Sequence, residues 1–481
     1  MNAPESAFNN TTPELLLDED FRALTAAYET ERYPTWEVRK QRLKNTIAML
    51  QKYRQEFLHA IKDDFGHRSL QESEMVEFFP SLEGLHHAIK HGKAWMKPRA
   101  RSVSMYFTPA SAQLMPQPLG VIGIIVPWNY PLYLAIGPLT AALTAGNRAY
   151  IKMSEYTPRL SDVLSRALDE FLGKGVVRVI NGGPEMASAF TRLPFNHIVF
   201  TGSTPVGKHV MRAAAENLTP VTLELGGKSP CIITESTWKN DGRFFNAVVR
   251  TLAGKTLNAG QTCIAPDYVL VPRAAVNDFY TATKRHLDAK FPRGAASDDY
   301  TGIVSDRHYR RLQNALEEAR LNGARVETLM GPARPDQRKL PLTLVSGASA
   351  DSILEQEEIF GPVLPVVPYD SLDDAIAYIN ARPRPLALYL FDDKRSVQDH
   401  VMRQTIAGGV SINETLMHIA QDTLPFGGVG SSGMGHYHGE FGFESLSKLK
   451  PIFRQARFNA MFLLAPPYGK VFATMMKIMT R

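Results

Sequence analysis

The chain has 481 residues, 44% hydrophobic and 21% charged, an ordinary globular balance with room for roughly two to four domains of about 150 residues. Only two cysteines are present, which excludes a disulfide scaffold and favours a reducing, cytoplasmic setting. The net charge of +6 is spread along the chain, with its densest basic run at KHGKAWMKPRAR (90–101), and argues against nucleic-acid binding; no apolar run reaches the ~20 residues a membrane span needs.

The N-terminal stretch MNAPESAFNNTTPELLLDED has neither the basic nor the apolar region of a secretion signal. From Trp36 to Phe65, Leu43, Ile47, Leu50, Phe57 and Ile61 recur at helical spacing, with Thr35 as N-cap and Gly66 as stop. A second helix is predicted over 71–94, carrying Met75, Phe78, Phe79, Leu82 and Leu85 and ended by Pro98. Residues 101–118 alternate polar and apolar as an exposed or edge ribbon does.

After this ribbon, short apolar strands alternate with helices. Strands are predicted at VIGIIV (121–126), RAYIK (148–152), VVRVI (176–180) and HIVF (197–200), with helices over 132–145, over 158–172 and from TGSTPVGK onward. The rhythm resumes at YVLVP (268–272), a helix over 274–290, a strand near 362–367, a helix over 371–381 and LALYLF (386–391). Such alternation specifies an α/β protein with parallel sheets, whose ligands sit at the carboxyl ends of strands.

Several reactive side chains fall at those ends. Lys152 and Glu155 follow RAYIK, where they suit ribose hydroxyls or serve as solvated loop charges. FTGSTPVGK (200–208) sets glycines between a strand and a helix, where backbone N–H groups meet a phosphate, although Gly-x-Gly-x-x-Gly is absent. Glu224 in TLELGGKSP suits a general base and Asn129 in PWNYP an oxyanion donor. Cys263 in GKTLNAGQTCIAPDY sits among Gly, Asn, Gln and Thr, and reads equally as a nucleophile or a buried structural thiol; Cys231 fits the structural role. The histidines at 86, 87, 91, 436 and 438 lack a metal-ligand spacing, so no metal is expected, and no Gly-x-Ser-x-Gly elbow is present.

Together PWNYP, IKMSE, FTGSTPVGK, LELGGKSP, NAGQTCIAPDY, EEIFGPV and PFGGVGSSGMG, in this order across 127–435, resemble the NAD(P)-dependent aldehyde dehydrogenase superfamily, and GQTCIAPDY resembles its class 3 branch, which includes coniferyl aldehyde dehydrogenases. The resemblance implies an aldehyde dehydrogenase-like α/β fold. It has a Rossmann-type cofactor domain (21–98 and 119–224), a catalytic domain (225–442), and an oligomerisation arm and C-terminal tail (99–118 and 443–481). Residues 1–20 precede the match and are expected to be disordered. By the same resemblance Cys263 is the nucleophile, Asn129 and the Cys263 N–H form the oxyanion hole, and Glu224 activates water to hydrolyse a thioester. Lys152, Glu155, Gly202, Ser203, Gly207, Glu358 and Phe360 then hold the dinucleotide, with Glu155 favouring NAD over NADP. Tyr130, Tyr133, Ile264 and Phe426 line the substrate tunnel and suit an aromatic or cinnamyl aldehyde such as coniferaldehyde. Two alternatives are a medium- or long-chain aliphatic aldehyde and, more remotely, a non-catalytic relative. A homodimer is expected, with the tail docked on the partner or, alternatively, on a membrane surface.

Overall fold

The structure is a computed structural model that describes residues 13–459 and 461–480. Three sheets organise it. In the first, strands Gly433–Met434, Val221–Leu225, His197–Gly202, Val121–Ile125, Arg148–Lys152 and Val177–Ile180 lie side by side in that order, all parallel except the first. Alternate residues of the central strand enter different cores. Ile122 and Ile124 pack with the helix Tyr133–Ala145, and Val121 and Ile125 pack on the opposite face. Burial on both faces is why this strand reads as an unbroken apolar run rather than an alternating one.

That second face corrects one expectation. Residues 13–20 are helical, within Pro13–Thr30, rather than disordered. Leu17 and Leu24 are fully buried against the sheet. Asp20 accepts a hydrogen bond from the Tyr150 hydroxyl at 3.2 Å and pairs with Arg178 at 3.2 Å. Residues 1–12 of the same expectation lie outside the described residues.

The long helix Trp36–Asp64 starts at Thr35, whose hydroxyl accepts from the Val38 N–H, and stops where Gly66 turns left-handed at φ 73°. The following helix departs from prediction. It runs Leu70–Ser73, then makes a π-helical turn over Glu74–Phe78, then continues as Phe79–Trp95. The extra residue in that turn rotates the apolar face: Phe78 and Leu85 remain buried, whereas Met75 and Phe79 are 57% and 59% exposed.

The second sheet orders Arg325–Thr328, Thr343–Ser346, Val363–Tyr369, Tyr268–Pro272, Pro230–Ile233, Ala387–Phe391 and Gly409–Ile412, parallel throughout except for the first pair. Two long helices fall outside the predicted elements, Asp241–Thr256 and Asp306–Leu321. Their capping residues Asn240 and Ser305 each accept a backbone N–H three residues on. The third sheet joins Arg99–Arg101, Ser111–Pro118 and Ser447–Arg454 antiparallel, so the ribbon predicted over 101–118 is two strands flanking a 3₁₀ turn at Met105–Phe107. Beyond it the helix Lys470–Met479 buries none of its residues, and Phe458 and Phe462 are 83% and 72% exposed. Among the described residues no helix is long and apolar enough to cross a membrane.

Candidate active site

In the first sheet the chain steps outward in opposite directions from the boundary between Val121–Ile125 and His197–Gly202, and in such sheets this switch point is where ligands bind. The carboxyl ends of its strands deliver most of the predicted residues. Asn129 follows Val121–Ile125, Lys152 ends Arg148–Lys152, Gly202 ends His197–Gly202, and Glu224 sits beside Thr201 near the end of Val221–Leu225.

The helix Asp241–Thr256 brings Cys263 to the same place through an unusual turn. Asn258, Ala259 and Gly260 all have positive φ, at 50°, 51° and 74°. A Cβ on Gly260 would stand 2.4 Å from the Gly361 carbonyl oxygen, so only glycine fits there. Two non-glycine residues in the left-handed region store strain, and side-chain hydrogen bonds hold them in it. The Asn258 amide donates to the Asn129 carbonyl at 3.0 Å, and the Gln261 amide donates to the Asn258 and Gly302 carbonyls at 2.9 and 3.1 Å. Asn129 in turn donates to the Gln261 carbonyl at 3.2 Å, which leaves its second amide hydrogen available.

Cys263 and Glu224 line one cavity of about 490 Å³, together with Tyr130, Tyr133, Ile264 and Phe426. The backbone N–H groups of Cys263 and Ile264 turn toward the Cys263 sulfur, but burial, Glu358 and Glu224 together push the thiol upward. Glu224 is 2% exposed, and neither of its oxygens has a hydrogen-bond partner. Burial alone raises its carboxyl well above the ordinary range. A carboxyl left without partners beside a sulfur is what a proton acceptor with an elevated pKa requires. Cys231 is fully buried, bonded to Thr251 at 3.3 Å, and pushed up to about 12 by burial.

A second cavity, of about 460 Å³, begins two residues past Glu224 and is lined by Thr204, Gly226, Gly227, Lys228, Glu358 and Ser431. A Cβ on Gly226 would lie 1.9 Å from a Glu358 oxygen, so the glycine leaves room for that carboxylate. Burial first, then Asp267, pushes Glu358 up to about 8, opposed by the Gly227 N–H, Lys228 and Lys255. Ser203 caps the helix Thr204–Ala215 with no side-chain hydrogen bond, which leaves the first N–H groups open to an anion. Gly207 brings this helix close to Val221–Leu225, since a Cβ there would meet Leu225 at 2.7 Å. Lys152, 3% exposed, faces Glu155 at 3.6 Å. Phe360 is left-handed at φ 51° and packs edge-on against Trp128 at 5.3 Å. Thr204, at the start of the uncapped helix, and Glu358, set over Gly226, share this cavity, whereas Lys152, Glu155 and Phe360 do not line it; open helix N–H groups beside a carboxylate suit a dinucleotide.

Sequence reasoning missed several groups that the fold brings to this place. Lys255 is fully buried, its ammonium has no hydrogen bond, and burial lowers it to about 8. Lys228 pairs with Asp267 at 2.5 Å, and Asp267 also accepts the Ile359 N–H at 2.9 Å. Tyr437 and Asp422 line the first cavity. His418 and His438 each stack against Phe426, with ring centroids at 6.1 and 5.1 Å. HYHG after a glycine-rich loop signals His438 in the sequence, whereas nothing there signals His418.

The two larger sheets thus bring a cysteine and a glutamate to one cavity beside a cleft that suits a dinucleotide, the arrangement of a dehydrogenase. The aldehyde dehydrogenase family profile matches residues 16–452, so the chain belongs to that family and is an enzyme that oxidises aldehydes with NAD(P). It is 52% identical over 450 residues to a probable coniferyl aldehyde dehydrogenase of Pseudomonas aeruginosa, covering 94% of this chain and 93% of that protein. It is 40% identical over 449 residues to the coniferyl aldehyde dehydrogenase of Pseudomonas sp. strain HR199, covering 92% of each. Among solved structures, the substrate-bound state of Staphylococcus aureus AldH superposes with a TM-score of 0.90 at 37% identity, covering 96% of this chain and 99% of that one.

Proposed function

We propose that the enzyme oxidises an aromatic or cinnamyl aldehyde of the coniferaldehyde type to its acid, with Cys263 as nucleophile. The observation that carries this reading is the single cavity in which Cys263 and Glu224 face Tyr130, Tyr133 and Phe426. Flat rings present large stacking surfaces to an aryl group, and the resemblance to coniferyl aldehyde dehydrogenases points the same way.

The Cys263 sulfur attacks the aldehyde carbon as a thiolate, its proton lost to water. The free Asn129 amide hydrogen and the Cys263 N–H stabilise the oxyanion of the resulting thiohemiacetal. Lys152 and Glu155 bind the adenosine ribose, Gly202, Ser203 and Gly207 the pyrophosphate, and Glu358 and Phe360 the nicotinamide end. Bound there, the dinucleotide supplies the acceptor for the hydride leaving the tetrahedral carbon, and Cys263 is left as a thioester. Glu224 then takes a proton from water, hydroxide adds to the thioester, and the acid leaves as the thiol reforms. The Glu155 carboxylate, 41% exposed, disfavours a 2′-phosphate and favours NAD over NADP.

Steady-state kinetics on matched aldehydes tests the substrate reading. The expected order in kcat/KM is coniferaldehyde above decanal, and NAD above NADP. Better turnover of decanal overturns the aryl reading, and equal efficiency with the two cofactors removes the preference for NAD.

The reading extends to a cytoplasmic homodimer, supported by two free cysteines and by a helix, Lys470–Met479, that its own chain leaves uncovered. The chain is divided into a cofactor part (21–98, 119–224), a catalytic part (225–442) and a dimer-forming part (99–118, 443–481). Sedimentation of the full chain and of a chain ending at Pro466 is expected to give a dimer that the truncation weakens, with neither form pelleting with anionic liposomes. Liposome binding lost on truncation would assign the tail to a membrane surface instead.

A further inference from the structure

The mostly apolar substrate cavity has one carboxylate pair in its wall, Asp422 and Glu83. Asp422 belongs to the loop that follows Gly409–Ile412 and packs over the helix Phe79–Trp95, where a Cβ on Gly84 would stand 3.8 Å from its Oδ1. Gly439, left-handed at φ 51°, presses on the backbone carbonyl of Asp422, because a Cβ there would come within 2.0 Å of it. This contact fixes the loop from behind, so the carboxylate is built into the wall.

Other polar groups converge on the same side. The Tyr133 hydroxyl lies 3.3 Å from His438 Nε2, and the buried Tyr437 hydroxyl has no hydrogen-bond partner. Tyr133, Tyr437, His438 and Asp422 also share a narrow recess of about 30 Å³ beside the main cavity. The Asp422 carboxylate is not engaged in any ion pair among the described residues; its charged neighbour, Glu83, repels it, and burial pushes it up to about 6. Tyr133 lines both the main cavity, with Cys263, and the recess, with Asp422. Asp422 lines the same cavity as Cys263, so a substrate whose carbonyl meets the sulfur shares that cavity with an acceptor that has no ion-pair partner among the described residues. Leaving a partly buried carboxylate unpaired is costly, and a donor on the ligand offsets that cost.

We infer that Asp422 is a specificity-determining residue, whose carboxylate accepts a hydrogen bond from a phenolic hydroxyl on the ring of the aldehyde. The preferred substrates are then hydroxylated aryl or cinnamyl aldehydes, not plain aryl ones. This inference rests on the aryl reading proposed above. It assigns to Asp422 what stacking on Tyr130, Tyr133 and Phe426 cannot supply, because a ring face does not distinguish a hydroxyl from a hydrogen.

The test is the ratio of kcat/KM for 4-hydroxycinnamaldehyde over cinnamaldehyde, with decanal as a third substrate. The ratio cancels any general loss of folding or turnover. The wild-type ratio is expected to exceed one, and Asp422→Ala is expected to lower it about 10- to 100-fold, the range for a hydrogen bond to a charged group. Asp422→Asn, which keeps an acceptor without the charge, is expected to fall between them. A wild-type ratio of one, or a ratio unchanged in both variants, overturns the role of Asp422 and leaves the aryl reading standing. Faster turnover of decanal than of either aryl aldehyde overturns the aryl reading and this inference with it.

Discussion

Aldehyde oxidation by Cys263→Ala is expected to fall about 10⁴-fold or more, with dinucleotide binding retained. Cys263 lines the cavity with Glu224, and the other cysteine cannot replace it: Cys231 is fully buried in the second sheet, held by Thr251. The substitution removes one sulfur from a partly exposed position and leaves intact the left-handed turn at 258–260, which depends on Asn258, Gln261 and Gly260. Loss of catalysis with an unchanged melting temperature would locate the effect in the chemistry. The measurement is reduction of the dinucleotide followed at 340 nm with coniferaldehyde, alongside titration of dinucleotide binding. Activity in the alanine variant above about one per cent of wild type would show that the thiol is not the nucleophile, because no thiohemiacetal can form without it.

What could be seen in the sequence follows from how local each signal is. Strands buried on both faces, such as Val121–Ile125, announce themselves as continuous apolar runs, and the helix from Trp36 is bounded by its own cap and stop. The residues at strand ends were visible for the same reason, since a strand that can be located also locates its carboxyl end. Three features could not be read this way. The π-helical turn at Glu74–Phe78 leaves the 3.6-residue pattern almost intact yet turns Met75 and Phe79 into the substrate cavity. The helix Pro13–Thr30 is amphipathic only weakly and owes its place to Leu17, Leu24 and Asp20 meeting a sheet formed later in the chain. The third is an ion cluster beneath the oxyanion loop: fully buried Arg68 bonds Glu77 at 2.8 Å and the Asn129 carbonyl at 2.9 Å. Glu77 itself accepts the Leu132 N–H at 2.7 Å. Arg68 and Asn129 are 61 residues apart, so no window of sequence contains the pair.

For Glu224→Gln the expected result is a burst of reduced dinucleotide close to one per active site, followed by turnover slowed by about 10²- to 10⁴-fold. Glutamine keeps the shape of the side chain but cannot take a proton from water, so the thioester on Cys263 accumulates, and intact-mass spectrometry would detect it as an acyl adduct. Steady turnover at the wild-type rate would assign deacylation to another base. The same residue links activity to stability with opposite signs. Burial holds the Glu224 carboxyl well above its usual range in the folded state, whereas in the unfolded chain it ionises near 4.5. Above that pH the unfolded state gives up a proton that the folded state keeps, so the folded state loses stability as pH rises toward the folded pKa. Deacylation needs the ionised form and gains over the same interval. Glu224→Gln removes this liability, so its melting temperature is expected to exceed that of the wild type by more at pH 8 than at pH 5. A gain independent of pH would mean that the carboxyl is ionised in the folded protein throughout, with its charge satisfied by water in the cavity. The enzyme therefore accepts a less stable fold at the pH where its base is effective, and the glutamine variant separates the two effects within one side chain.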